Sequence, residues 1–168
     1  MSAPETDEST NTSSTQARVV VGVDGSPSSI AALRWAARLA PSMNAQIQAI
    51  TTWQYPTGAG AGIGMGGGVG MEMADAPEAV ATTILDQALS TAFAHTPPAG
   101  LQRTTLQGNP AQVLLDVSTD SDALMLIVGS RGHGGFVGLL IGSTSAYCAE
   151  HATCPVLVVH AAPDEDQK

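Results

Sequence analysis

Two short runs in this chain, Val19-Val20-Val21-Gly22-Val23 and Ala123 to Val128, are apolar at successive positions rather than at alternate ones. A strand with one wet face alternates, whereas a strand apolar on both sides must be covered on both sides. The chain therefore calls for a sheet with helices on each face, and the intervening segments supply them. Ser26 reads as an N-cap with Pro27 at the first helical position. Ile30, Leu33, Ala37 and Ala40 then recur at helical spacing until Pro41 closes the segment. Gln46 to Trp53 reads as a second strand. From Pro77 to His95 the stripe Val80, Ile84, Ala88 and Ala92 predicts a helix, broken by Pro97-Pro98-Ala99-Gly100. Leu101 to Gln107 is more polar than the other strands and is placed near an edge. Gly108-Asn109-Pro110 repeats the cap-plus-proline pattern and opens a helix to about Thr119. A helix from about Ser143 to His151 precedes a fifth strand, Pro155 to His160. The order βαβαβαβαβ predicts an α/β fold, a parallel sheet with helices on both faces in one domain.

The length of 168 residues suffices for one substantial core. Residues 1–16 are rich in Ser, Thr and Glu with almost no apolar residue, which predicts a disordered acidic tail. Residues 161–168 form a second, leaving a domain at 17–160 with a glycine-rich insertion at 57–76. The formal net charge of −9 is uneven: −3 lies in the first tail and −2 in the last, which leaves −4 for the body. One lysine and five arginines suit neither nucleic acid nor an anionic membrane. The apolar runs fall far short of the ~20 residues of a membrane span, and no secretory signal is evident. A cytoplasmic protein is expected. Cys148 and Cys154 are too few for a disulfide scaffold, and with only His151 between them they fall short of a zinc site. They read as small buried hydrophobes, with a redox pair as the alternative.

The chemistry concentrates where strands end. The first strand runs into Asp24-Gly25-Ser26. The fourth runs into Gly129-Ser130-Arg131-Gly132, followed after nine residues by Gly142-Ser143-Thr144-Ser145. Glycines at these spacings let a ligand approach the backbone closely. A following helix start adds free N–H groups and the positive end of its dipole, the means of holding a phosphate. Ligands of open α/β sheets bind outside the carboxyl ends of the strands, where the strand order reverses. With the first and fourth strands adjacent, Asp24 and the glycine cradle share a crevice. A carboxylate suits a ribose or base edge and repels polyphosphate, so Asp24 is placed at the nucleoside end.

These residues resemble the universal stress protein family, in its nucleotide-binding form. The spacing Gly-x2-Gly-x9-Gly-[Ser/Thr] is met by Gly129, Gly132, Gly142 and Ser143. Val-Gly-Val-Asp-Gly-Ser on the first strand, the Gly108-Asn109-Pro110 helix opening and the segment His151 to Val159 are also similar. The resemblance implies a Rossmann-like five-stranded sheet ordered 3-2-1-4-5. It implies ATP as ligand, with Mg or Mn bound through the phosphates, and a homodimer through the last strand (Val156, Leu157, Val158, Val159). Carried over, Asp24 holds the nucleoside, with Thr52 near the adenine. Gly129, Arg131, Gly132, Gly142, Ser143 and Thr144 line the phosphates.

The leading expectation is a nucleotide-dependent regulatory protein. A slow ATPase, or an autophosphorylating enzyme using Ser143, Thr144 or Ser145, is a second class. A cyclic-AMP-binding member of the same fold is a third. Efficient phosphoryl transfer needs cation clamps; the chain has no Walker A lysine, and its only lysine is Lys168. Binding is therefore expected rather than turnover. The formal Gly-x-Gly-x-x-Gly at Gly62, Gly64 and Gly67 lies in a glycine-rich tract with no strand leading into it, so it is not read as a dinucleotide site. That tract, Gly58 to Gly70, leaves the second strand on the side of the crevice and suggests a lid over bound nucleotide.

Overall fold

Strand order is decided by which apolar runs are buried on both faces, and β1 (Arg18–Gly22) and β4 (Ala123–Gly129) take the inner places. In the computed structural model they pair in parallel inside a five-stranded sheet of order β3-β2-β1-β4-β5. β2 (Gln46–Trp53) and the edge strand β3 (Gln102–Gln107) lie on one side, and β5 (Val156–Val159) forms the other edge. The structure describes residues 16–55, 76–94, 96–132 and 141–161. The expected acidic tails and the glycine-rich tract with its lid fall outside the described residues, apart from Gln16, Ala76 and Ala161 at their margins.

Alternate residues of each inner strand face opposite layers. Val19, Val21 and Ile127 pack with α1 (Pro27–Leu39) and α2 (Pro77–Phe93). Val20, Leu126 and Val128 pack with α3 (Pro110–Ser118) and α4 (Ser143–His151). This double burial is what forbids an alternating polar pattern in β1 and β4.

The caps read from sequence form as expected. Ser26 accepts the Ser29 N–H, and Asn109 Oδ1 accepts the N–H groups of Ala111 and Gln112 at 3.1 and 3.3 Å. One expectation holds and one is corrected. The first helix ends at Leu39, and Pro41 closes it from within the 3₁₀ turn that follows, Ala40–Met43. Proline has no N–H to extend the α ladder, so the bond from Ala40 N–H to Ala36 O is its last. In α2 the buried stripe is Ala81, Leu85, Ala88 and Leu89, while Val80 is exposed. Apolar residues lie on more than one side of this helix, and packing against the sheet and α1 chooses which are buried; Arg34 of α1 bonds to its last carbonyls, Thr91 O at 3.1 Å.

At the amino ends of the strands, Arg18 joins three elements. Its guanidinium donates to both Asp122 oxygens at 2.8 and 2.7 Å, to Asp120 at 3.0 Å and to Gln48. The bonds to Asp122 and Asp120 hold the Arg18 pKa above its ordinary value, and the bond to Arg18 holds the Asp122 carboxyl below the usual carboxylate range.

Candidate functional site

The sheet reverses its winding between β1 and β4, and a cavity of about 570 Å³ opens at their carboxyl ends. Every residue expected at the site lines it. Asp24 comes from the end of β1 and Thr52 from the end of β2. Gly129, Arg131 and Gly132 follow β4, and Gly142, Ser143 and Thr144 start α4. The motif therefore lies at the position where α/β sheets take ligands.

The motif loop rests on the start of α1, of which Ser29 lines the cavity. Ser26, Ser28 and Ser29 are buried there. Ser26 Oγ donates to Asp24 Oδ1 at 2.6 Å, and the Ser26 N–H donates to the same oxygen at 3.0 Å. The Ser28 hydroxyl donates to the Arg131 carbonyl. The sequence marks Ser26 as a cap and gives no signal for Ser28 or Ser29, whose contacts to the loop after β4 arise only in the fold.

The glycines of the motif do different work from one another. A Cβ on Gly129 would stand 2.5 Å from Ser28 Oγ and 2.7 Å from Ser29 N, so this glycine clears the way for α1 rather than for a ligand. A Cβ on Gly132 would stand 2.5 Å from Asp24 Oδ2. Asp24 therefore sits directly against Gly132. At Gly142 the nearest atom to an added Cβ is Ser130 O at 3.4 Å, an ordinary neighbour.

Hydrogen bonds draw the two halves of the motif together. Gly142 N–H donates to Ser130 O at 2.6 Å, Ser130 N–H donates to Val159 O at 2.7 Å, and the Ser145 hydroxyl donates to Gly129 O. Ser145 is buried and its proton is engaged, which sets it apart from Ser143 and Thr144 as a phosphate acceptor. Gly142 is the N-cap of α4, and among the described residues no side chain caps that end. The first N–H groups of a helix have no intrahelical acceptor, and here the residues that carry them line the cavity. Among the described lining residues Arg131 is the one cation and Asp24 the one acid.

Apolar side chains also line the cavity. Val23 and Ile50 come from the β1 and β2 ends, Ile84 from α2 and Leu114 from α3, with Ile141 before α4. No motif pointed to Ile84 or Leu114, since their place depends on how α2 and α3 pack over the strand ends. Thr51 ties these ends by donating to Val23 O at 2.9 Å, while its neighbour Thr52 faces the cavity. Farther along α4, Cys148 is fully buried, and burial pushes its thiol pKa up to about 11. Both cysteines are free thiols, and among the described residues no group of three or more His, Cys, Asp or Glu side chains is placed to hold a metal.

The sequence model of the universal stress protein family matches residues 17–160, almost the whole described chain. The chain belongs to the universal stress protein family. Among its relatives, universal stress protein Rv2623 of Mycobacterium tuberculosis is 30% identical over 156 residues, which cover 88% of this chain and 48% of that protein. The chain thus spans about half the length of that relative. A solved universal stress protein in complex with cAMP is 26% identical, with a TM-score of 0.62 over 88% of this chain and 98% of the other. The universal stress protein of Archaeoglobus fulgidus in complex with dAMP, at 20% identity, has a TM-score of 0.59 over 86% of this chain and 97% of that one. At that identity the likeness shows the fold alone. Among the described residues of this universal stress protein no helix is long and apolar enough to cross a membrane.

Proposed function

We propose that this universal stress protein binds ATP, carried with Mg or Mn on its phosphates, in the cavity between β1, β4 and α4, and that occupancy regulates a stress response. The observation that carries this reading is the start of α4. Among the described residues no side chain caps it, and it opens on a cavity that apolar side chains also line. An anion suits the helix start and a base the apolar lining. In this reading Gly142, Ser143, Thr144 and Arg131 meet the phosphates. Gly129 and Gly132 shape the loop, Asp24 meets the ribose beside Gly132, and Thr52 lies at the base. Among the described residues no cluster of acids, histidines or cysteines would cage the ion, which would arrive on the phosphates, where Ser143 and Thr144 carry the hydroxyls that would meet it; bound there, it would neutralise phosphate charge.

Cyclic AMP is the second reading. One lining cation suits a ligand of low charge, and the solved relative at 26% identity was captured with cAMP. Turnover is not part of the proposal, because a single arginine offers no clamp for phosphoryl transfer. The reading extends to a homodimer through Val156, Leu157, Val158 and Val159. Among the described residues β5 pairs with β4 alone, which leaves its outer edge as a pairing template. It also extends to the cytoplasm, in keeping with two free thiols. The test is mass spectrometry of nucleotide released from the purified protein, then calorimetric titration with ATP, AMP and cAMP, with and without Mg²⁺. Saturable ATP binding with Mg²⁺ is expected; binding of none of the three would sink the reading. Sedimentation at micromolar protein tests the dimer.

A further inference from the structure

The Arg131–Gly132 peptide is held from below. Ser28 comes from the first turn of α1, 103 residues earlier in the chain, and is 4% exposed. Its hydroxyl donates to Arg131 O and its oxygen lies 3.4 Å from Arg131 N. Ser26 Oγ also lies near that carbonyl, at 3.1 Å, but it is 2.6 Å from the Asp24 carboxylate. A hydroxyl has one proton, and the shorter, charge-assisted bond takes it. Ser28 is then the donor on which the Arg131 carbonyl depends.

No peptide bond in the described chain is cis. In a planar trans peptide the C=O and the following N–H point in opposite directions. Drawing Arg131 O onto Ser28 therefore turns the Gly132 N–H away from Ser28, on a residue that lines the cavity. That N–H has no acceptor among the described residues. Gly132 N also lies 3.8 Å from where a Cβ on Gly142 would stand, so it shares a small region with the start of α4.

We infer that Ser28 is a positioning residue for phosphate recognition: by holding Arg131 O it aims the Gly132 N–H at the phosphate nearest the ribose. The inference rests on the nucleotide reading above. Ser28 touches no ligand itself, so its effect should follow the phosphate and not the base. The buried hydroxyl also explains why Gly129 must lack a side chain, since Ser28 occupies the space a Cβ would need.

The test compares the wild type with Ser28→Ala for AMP, ATP with Mg²⁺, and adenosine. AMP and ATP should weaken about tenfold, the loss of one well-aimed hydrogen bond to a charged group. Adenosine should stay within about twofold, which also shows that the cavity is intact. By NMR the Gly132 amide proton of the wild type should move downfield with AMP and not with adenosine, and the response to AMP should vanish in Ser28→Ala. Equal weakening of all three ligands, or none, overturns the inference while nucleotide binding stands. Should the variant fail to fold, the wild-type amide decides alone, and a Gly132 proton that ignores AMP overturns it. A wild type that binds neither AMP nor ATP removes the nucleotide reading itself.

Discussion

The sheet carries a concavity at each end, of about 550 Å³ beside the amino ends of its strands and about 570 Å³ beside their carboxyl ends. They are alike in size and opposite in chemistry. At the amino ends Arg18 is taken by Asp122, Asp120 and Gln48, and the Gln102 amide donates to Gln46 at 2.9 Å. These groups satisfy one another and join β1, β2, β3 and the approach to β4. At the carboxyl ends the bonds that shape the loop are made underneath, by Ser28, Ser130 and Ser145. The Gly132 N–H above them has no acceptor among the described residues. What separates a site from a dent is unspent hydrogen-bonding capacity, not volume. The asymmetry belongs to the parallel fold, because a helix that follows a strand presents its N-terminus to the strand's carboxyl end.

That contrast can be broken or sharpened by five experiments, ordered from the largest expected effect on nucleotide binding to none. Gly129→Ala places a Cβ against the backbone of α1. It should cost about 2–3 kcal/mol in urea unfolding and abolish binding with it; a stable variant would show that α1 can retreat. Chelating divalent cations should weaken ATP more than tenfold and leave cAMP unchanged, because among the described lining residues Arg131 is the one cation to offset a triphosphate. Metal-free ATP binding more tightly than AMP would refute that account. Arg131→Gln should weaken ATP about tenfold while leaving stability within about 0.5 kcal/mol, which calorimetry and thermal unfolding together resolve. Gly142→Ala meets only ordinary neighbours, so the fold should hold while ATP weakens by about threefold to tenfold; unchanged affinity would mean that no ligand comes close there.

At the other end, Asp122→Asn should leave every nucleotide affinity as it was. Its effect is on acid stability. Asp122 is held below the usual carboxylate range by Arg18. The pair's contribution is therefore present above the unfolded value near ~4 and lost as pH falls through the depressed one. The variant should be less stable at neutral pH, and its stability should depend less on pH below ~4 than the wild type's, as chemical denaturation across pH would record. A change in nucleotide affinity would instead join the two ends that the comparison separates.

Much of this was open to reading along the chain, for a physical reason. Caps, proline positions and uninterrupted apolar runs act on residues a few places apart. Ser26, Asn109, β1, β4 and the Gly129–Thr144 spacing were therefore legible, and with them the layered α/β fold. Close packing was not. Which stripe of α2 is buried, that Ile84 and Leu114 complete the apolar lining of the cavity, and that Gly129 serves α1 rather than a ligand depend on elements far apart in sequence. The same holds for Asp24 against Gly132 and for Ser28 beneath Arg131, contacts that exist only because β1 and β4 lie side by side. Residues of the right kind at the right spacing are a property of the sequence alone. The direction in which each polar group points was decided by packing, because a hydrogen bond works only within a few tenths of an ångström and a few tens of degrees.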